Sequence, residues 1–237
     1  MEIQTTRKRR ILKDKAHKYI YSLFVKPFIK RKIKKETVLF HGGLDLVVFP
    51  GVFHPQYMFS TLFFCDYIAE LDMRGKTFCE VGTGCGAVSL QAYRAGAEIF
   101  SFDISEKAIS NTEENFKLNF TKQKVSKFHL YKSDLFDNVP QMEFDFIFIN
   151  PPYFFKDVKN EEEKAWYCGK NGEYFKKLFY QLPEHSHANS SLLMVLAENC
   201  DIKRIEKLAK YFGYELHLIH KKKIKWEWNF LYSLHNI

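Results

Sequence analysis

Short apolar runs alternate with amphipathic stretches along the chain from residue 76 onward. Runs that are too short for helices and rich in β-formers predict strands at 77–81, 98–102, 127–131, 144–149, 191–197, 215–220 and 226–234. Helical periodicity predicts helices at 87–94, 105–120, 173–182 and 201–212. This alternation predicts a doubly wound α/β fold with a mostly parallel seven-stranded sheet and right-handed crossovers. The final two strands are consecutive, with Lys221-Lys222-Lys223 predicted to join them, so we expect an antiparallel last strand.

The residues before 76 follow other patterns. A basic amphipathic helix is predicted from Ile11 to about Lys34. Apolar runs at 37–40 and 44–49 flank His41-Gly42-Gly43 and predict a β-hairpin, followed by a loop and a helix at 56–72. We therefore expect an N-terminal arm over 1–36 and one domain over 37–237, in which a hairpin and helix (37–72) precede the α/β core (76–237).

Charge is distributed unevenly between these two parts. The whole chain has a formal net charge of +8, whereas residues 1–36 hold 13 Lys/Arg and 3 Asp/Glu, a net of +10. The remaining residues therefore carry a net charge of −2. Such an arm is typical of segments that contact RNA, the ribosome or anionic lipid, although a solvated basic helix fits the pattern equally well.

The cysteines argue against a disulfide framework and against a zinc site. Five are present, an odd number, and no two are spaced as C-x-x-C. The chain has no run of eighteen apolar residues, and its first residues are charged rather than signal-like. We expect a protein of the reducing cytoplasm without a bound metal.

A candidate reactive corner follows the apolar run 144–149, at Asn150-Pro151-Pro152-Tyr153. The prolines cannot donate to a sheet and stop the strand, so the corner is stiff and lies where ligands bind in open α/β sheets. The Asn150 side-chain oxygen and the Pro151 carbonyl could accept the two hydrogens of a planar NH2 group and aim its lone pair at an electrophile. The Tyr153 ring could stack on a planar substrate and favour a cationic sulfonium. The alternative is that the prolines simply end a strand.

A glycine-rich loop follows the first core strand and has the pattern Gly82-x-Gly84-x-x-Ala87. Glycines allow a tight turn and a close approach of a ligand to backbone N–H groups. Asp103, at the end of the next strand, could accept both hydroxyls of a ribose. These features fit NAD and S-adenosylmethionine equally. Glu80 favours the latter, because it could face the cationic amino group of an amino-acid cofactor, and Asp134 could accept from an adenine amino group.

The glycine loop, Asp103, Asp134 and the Asn150–Tyr153 corner have the order and spacing of the motifs in Rossmann-fold S-adenosylmethionine-dependent methyltransferases that modify planar NH2 groups. The chain resembles these enzymes over residues 47–237. The resemblance implies a Rossmann-like methyltransferase domain with Asn150, Pro151 and Tyr153 as catalytic residues. It also implies a cofactor site formed by Glu80, Gly82, Thr83, Gly84, Gly86, Asp103, Ile104, Asp134 and Leu135.

The segment Ala165–Glu173, followed by Leu182-Pro183, is similar to the small HemK-related glutamine enzymes. Their loop before the first domain helix is similar to Val52–Pro55, but its acidic residues are replaced here by Gln56–Phe59. The resemblance implies a protein glutamine acceptor, as in a translation release factor, with substrate contacts from Phe53, Pro55, Phe154 and Trp166. Phe154 and the basic arm suit an adenine methyltransferase acting on tRNA or rRNA equally well. A third interpretation is an inactive methyltransferase fold that serves as a binding scaffold.

Overall fold

The computed structural model describes residues 34–57, 59–120, 125–225 and 227–237. The arm predicted for 1–36, with its helix, lies outside these residues except for 34–36. An antiparallel hairpin comes first, with strands β1 (Thr37–His41) and β2 (Leu44–Val48). It was predicted from the two apolar runs around His41-Gly42-Gly43, and the prediction is confirmed.

A seven-stranded sheet forms the centre of the domain. Its strands are β3 (Thr77–Val81), β4 (Glu98–Asp103), β5 (Phe128–Lys132), β6 (Phe144–Ile149), β7 (Ser186–Ala197), β8 (Tyr214–Ile224) and β9 (Glu227–Asn236). Their order across the sheet is β5-β4-β3-β6-β7-β9-β8, and β9 runs antiparallel to both of its neighbours. The predicted fold class is therefore confirmed. The sheet buries both faces, which is why its parallel strands are almost continuously apolar in sequence.

Within the described residues, five α-helices cover the two faces of this sheet: α1 (Ser60–Ile68), α2 (Ala87–Arg94), α3 (Glu106–Phe120), α4 (Glu173–Gln181) and α5 (Ile202–Tyr211). The first three pack with the hairpin in one core cluster, and the last two pack in a second cluster on the opposite face. Neighbouring residues of one strand alternate between the clusters, as Leu192 and Leu193 of β7 show.

Two sequence predictions need correction. The helix predicted at 56–72 is limited to α1, because residues 55–57 form a turn in which the amide of Gln56 donates to Nδ1 of buried His54 over 3.2 Å. The Lys221-Lys222-Lys223 run lies inside β8, and the chain reverses only after Ile224. Lysines suit an edge strand because they discourage pairing with another chain.

A ladder of asparagines attaches the hairpin to α3. Each side-chain oxygen accepts an amide N–H of the hairpin: Asn111 from Phe49 (2.9 Å), Asn115 from Val47 (2.8 Å) and Asn119 from Asp45 (3.0 Å). Their Nδ2 groups donate back to the carbonyls of Val47 and Asp45. Four residues of helix rise about 6 Å and two residues of strand about 6.7 Å, so the two spacings nearly match. The helix thus takes the place of a third strand.

A β-bulge changes the orientation of β8 partway along its length. The pairing with β9 shifts between Leu218 and His220. Before the shift, Leu216 packs in the cluster beneath α4 and α5; after it, the His220 ring stacks on Phe63 of α1, with centroids 5.4 Å apart, and Ile224 joins the α1 cluster. One extra residue therefore lets a single strand serve both cores.

Among the described residues, no helix is long and apolar enough to cross a membrane.

Candidate active site

A cavity of about 600 Å³ opens at the carboxyl ends of β3, β4 and β6. The chain runs outward from β3 to β5 and then returns to β6 on the other side of β3, so the connections diverge between β3 and β6. Ligands of open α/β sheets bind at such a switch point. The walls come from segments far apart in sequence, including residues 51–53, 80–85, 102–108, 133–135, 150–152 and parts of 158–177.

Glu80 lies at the base of this cavity and is 5% exposed. Its Oε2 accepts the amide N–H of Ser89 over 3.0 Å, and it also accepts from the hydroxyls of Ser89 and Thr83. Burial raises the pKa of the carboxyl group to about 8, and these hydrogen bonds only partly oppose it. A cationic group bound nearby would favour the ionised form and lower this pKa again.

Asp103 links the glycine loop to the start of α3. Its Oδ2 accepts the Gly84 amide N–H over 3.0 Å, and its Oδ1 accepts that of Ser105 over 2.9 Å. Burial raises the pKa of this carboxyl group, and the backbone hydrogen bonds limit the increase. Each oxygen retains a lone pair for a ligand hydroxyl, so Asp103 is oriented for the ribose contact predicted from the sequence.

Leu135, in the cavity wall after β5, has φ = 54° although it is not glycine. Such a conformation is strained for a branched side chain and tends to occur at ligand sites. It follows Asp134, which also lines the cavity and whose Oδ2 lies 3.3 Å from Nζ of Lys177. The ion pair positions the carboxylate that is predicted to accept from an adenine.

Asn150 presents an unusual acceptor at the predicted corner. Its Nδ2 donates to Oγ1 of Thr61 over 3.3 Å, whereas its buried Oδ1 has no hydrogen-bond partner in the described structure. Asn150, Pro151 and Pro152 all line the cavity. A buried, unpaired amide oxygen costs free energy, and a bound ligand that donates a hydrogen bond to it would remove that cost.

Several predicted site residues lie elsewhere. The Tyr153 ring is 7% exposed and belongs to the core cluster beneath α4, so it does not form the expected stacking surface in the cavity. The chain turns after Pro152 to pair Phe154 with Tyr167, which directs Tyr153 inward. Phe154, Pro55 and Trp166 are also absent from the described cavity wall, but Trp166 packs on Phe53, which does line it, with ring centroids 5.4 Å apart.

The members of the glycine loop have different roles. Gly82, Thr83 and Gly84 line the cavity, as does Ile104. Gly86 does not. It caps the start of α2 with φ = 81°, and a Cβ at this position would lie 2.7 Å from Cγ2 of Thr112. Close helix packing therefore accounts for this glycine better than the predicted cofactor contact.

Several residues that line the cavity could not be predicted from the sequence. Thr61 contacts Asn150, which lies 89 residues later in the sequence. Tyr174 lines the cavity from α4. Burial, together with the nearby Asp103 and Asp134, raises the pKa of its hydroxyl group. The acidic 3-10 helix Glu161–Ala165 also contributes to the wall. In the described part of the chain, no group of three His, Cys, Asp or Glu side chains could hold a metal.

The donor set fits S-adenosylmethionine. Carboxylates lie at the ends of successive strands, where an amino group, a ribose and an adenine could each find an acceptor, and Asn150, whose buried side-chain oxygen is unpaired in the described structure, lines the same cavity. The cavity volume lies within the usual range for small-molecule sites.

A family model described as "Methyltransferase small domain" matches residues 44–225. A Methanocaldococcus jannaschii protein named as a protein N5-glutamine methyltransferase is 28% identical over 194 residues, which cover 78% of this chain and 92% of that protein. The release factor glutamine methyltransferase of Thermodesulfovibrio yellowstonii is 25% identical over 213 residues, covering 81% and 74%.

Solved structures share the fold at low identity. The T. thermophilus 16S rRNA N2 G1207 methyltransferase in complex with AdoMet and guanosine has a TM-score of 0.57 at 16% identity, covering 84% of this chain and 50% of its own. The E. cuniculi Mtq2–Trm112 complex, described as responsible for methylation of the eRF1 translation termination factor, has a TM-score of 0.56 at 18% identity, covering 79% of this chain and 99% of that one.

Proposed function

The chain belongs to the methyltransferase small domain family, and we propose that it transfers the methyl group of S-adenosylmethionine to the side-chain amide of a protein glutamine, as found in a translation factor. The unpaired Oδ1 of Asn150 is the observation that carries this proposal. A planar NH2 group could donate the hydrogen bond that this oxygen does not receive in the described structure. The relatives named for glutamine methylation support an amide as its source.

The residues around the cavity suit the binding of this cofactor. Glu80 would receive its amino group, Asp103 its ribose, and Asp134 with Leu135 its adenine, with Gly82, Thr83, Gly84 and Ile104 as the surrounding wall. When bound, the cofactor supplies an electrophilic methyl group on a cationic sulfur. The acidic wall favours that charge.

Asn150 and Pro151 orient the methyl acceptor. An amide nitrogen is a weak nucleophile because its lone pair is delocalised into the carbonyl group. With its two hydrogens accepted by Asn150 Oδ1 and the Pro151 carbonyl, the nitrogen can direct its lone pair along the line of transfer. The Thr61 hydroxyl holds Asn150 Nδ2 and keeps Oδ1 directed at the acceptor. Rate acceleration then comes mainly from positioning and electrostatics.

An adenine acceptor has weaker support. Phe154, which suited stacking on a base, pairs through its backbone with Tyr167 and does not line the cavity in the described structure. The net charge of −2 outside the arm also favours a protein acceptor over a tRNA gripped by the domain surface.

The test uses purified enzyme, labelled S-adenosylmethionine and three acceptors: release factor, the same factor with its candidate glutamine changed to alanine, and total tRNA. We expect label in the unchanged factor alone. Label in tRNA, or label that persists in the alanine variant, would refute a glutamine acceptor while leaving methyl transfer intact. No label in any acceptor, together with cofactor binding, would favour the inactive scaffold.

A further inference from the structure

Two carboxylate side chains lie together where β7 ends and β9 begins. Glu198 directly follows β7, and its amide N–H donates to the carbonyl of Trp228 over 2.9 Å. Glu227 is the first residue of β9, and its Oε1 accepts from Nδ2 of Asn199 over 3.0 Å. Glu198 is exposed and Glu227 is half-buried. The backbone contacts between the two strands therefore hold both acids at one place that solvent can reach.

The two acids repel each other, and no described cation is paired with either of them. In the part of the chain that the structure describes, neither Glu198 nor Glu227 forms an ion pair. Burial, together with the neighbouring Glu198, raises the pKa of Glu227 to about 7. Lys225 lies against the Phe59 ring, with Nζ 5.1 Å from the ring centroid. A bound cation would relieve the repulsion and favour the ionised form of Glu227.

A buried amide beside Glu227 also has an unused acceptor. Asn229 is fully buried, and its Nδ2 donates to the carbonyl of Glu227 over 3.4 Å, whereas its Oδ1 has no hydrogen-bond partner in the described structure. Asn229 and Glu227 are two residues apart on β9, so their side chains lie on the same face of the sheet. The unpaired oxygen is an observation separate from the two charges, and it calls for a hydrogen-bond donor. We refer to Glu198, Glu227 and Asn229 as the β7–β9 subsite.

This subsite lies at the same edge of the sheet as the candidate active site. Strands β6 and β7 are parallel neighbours in which Ile149 pairs with Met194. Asn150 follows Ile149, and Glu198 lies beyond its level on the next strand, at a distance of roughly 10 Å along the strand direction. Neither acid belongs to the described cavity wall. A polypeptide that places one side chain at Asn150 can therefore place another at the subsite.

We propose that the β7–β9 subsite binds an arginine side chain of the acceptor protein, close in space to the glutamine that is methylated. This inference rests on the proposed glutamine acceptor. A guanidinium group presents five N–H donors in a plane, which suits two carboxylates and an amide oxygen, whereas an ammonium group has three. It is also more weakly hydrated than an ammonium group and enters a half-buried site at lower cost. The subsite thus selects acceptors that carry a basic residue near the glutamine.

The test compares short fluorescent peptides that carry one central glutamine. In one set an arginine is moved through each position around the glutamine, and in the other set citrulline, which keeps the shape of arginine and lacks its charge, takes the same positions. Binding to the full chain is measured by fluorescence anisotropy without cofactor. The variants are E198Q, E198Q/E227Q and the matched control E143Q/E184Q. The control removes two exposed acids at the opposite edge of the sheet, just before β6 and β7, so it changes the net charge equally.

At the position that reaches the subsite, the arginine peptide should bind at least roughly tenfold more tightly than its citrulline counterpart, the scale for hydrogen bonds to charged groups. E198Q should lose part of this preference and E198Q/E227Q should lose it entirely. E143Q/E184Q should keep it. Because Glu198 is exposed, E198Q should have the thermal transition of the unchanged chain.

Equal binding of arginine and citrulline peptides at every position would overturn the proposal, and so would an arginine preference that survives in E198Q/E227Q. Calcium binding that is lost in E198Q/E227Q would assign these oxygens to a metal ion and would also overturn it.

Two further measurements separate this proposal from that of glutamine methylation. The arginine preference should persist in peptides whose glutamine is replaced by alanine, because the subsite binds a different side chain. Label from S-adenosylmethionine is then measured in the glutamine peptides. Label that enters them without any arginine preference would leave glutamine methylation intact and remove the subsite. An arginine preference without label in any glutamine peptide would retain the arginine site and contradict the glutamine acceptor.

Discussion

Asn115 offers the sharpest test of how the hairpin is held on α3. The side chain is fully buried and makes three hydrogen bonds: it accepts from the Val47 amide and donates to the carbonyls of Val47 and Cys85, over 2.7–2.8 Å. In Asn115→Ala the Val47 carbonyl keeps a donor in Asn111, but the Val47 amide and the Cys85 carbonyl lose theirs. Each unsatisfied buried group costs about 1–3 kcal/mol, and alanine recovers about half a kcal/mol of helix propensity. We expect a net loss of about 3 kcal/mol.

Asn119→Ala is the matched control. It removes the same pair of hydrogen bonds at the exposed end of the ladder, where water can replace them. Its cost should stay below about 1 kcal/mol. Urea denaturation followed by circular dichroism measures both values, and the slope with denaturant should be unchanged in each variant. Because Phe53 follows the hairpin and lines the cavity, Asn115→Ala should also weaken cofactor binding. Equal losses in the two variants would refute the interpretation of the ladder as an attachment.

Three further outcomes follow from the cavity and one from the arm. Asp103→Ala should weaken S-adenosylmethionine binding by about 1.5–3 kcal/mol in calorimetry, the scale for hydrogen bonds to a charged group, and NAD should not bind. Asn150→Ala should abolish turnover and leave cofactor affinity nearly unchanged, because Oδ1 is assigned to the methyl acceptor. Cofactor binding near pH 7 should release up to one proton from Glu80, whose pKa is about 8 in the free protein, which calorimetry in two buffers detects. A chain beginning at Glu36 should keep its thermal transition and bind the cofactor.

The pH dependence of stability gives an independent check on Glu80. Burial raises the pKa of Glu80 in the folded state from the ordinary 4.5 to about 8. Between these two pH values the folded chain therefore holds a proton that the unfolded chain has lost. Stability of the cofactor-free protein should therefore fall as pH rises through that window. Glu80→Gln should remove this dependence. A thermal midpoint that falls equally with pH in both proteins would contradict the assignment.

The apolar pattern was sufficient to predict the sheet and its last antiparallel strand, because strands buried on both faces are recognisable from composition alone. The lysine run in β8 was misassigned as a turn, since an edge strand does not have to be apolar. Glu80, Asp103 and Asn150 could be predicted to lie around one cavity because strand ends meet at one edge of a parallel sheet. Thr61 could not be predicted in this way, because its contact with Asn150 depends on how α1 packs against the sheet.

Roles within a motif were harder to predict than its position. Asn150 and Tyr153 belong to one short corner, yet Asn150 lines the cavity and Tyr153 packs in the core. The difference arises from the pairing of Phe154 with Tyr167, two residues whose proximity is set by the fold of the loop between them. The spacing of residues along the chain therefore does not predict which of the two side chains reaches the cavity.

The bulge in β8 makes this strand unusually sensitive to its length. Removing Ile219 would restore a regular two-residue alternation, so that every later side chain would change sides. His220, which stacks on Phe63, and Ile224 would turn away from α1, as would Lys222, which pairs with Asp66 of that helix, and Lys221 and Lys223 would face its apolar surface. Point substitutions at Ile219, which is 45% exposed, should be tolerated in most cases. In this strand, the number of residues is under stronger constraint than the identity of the residue at the bulge.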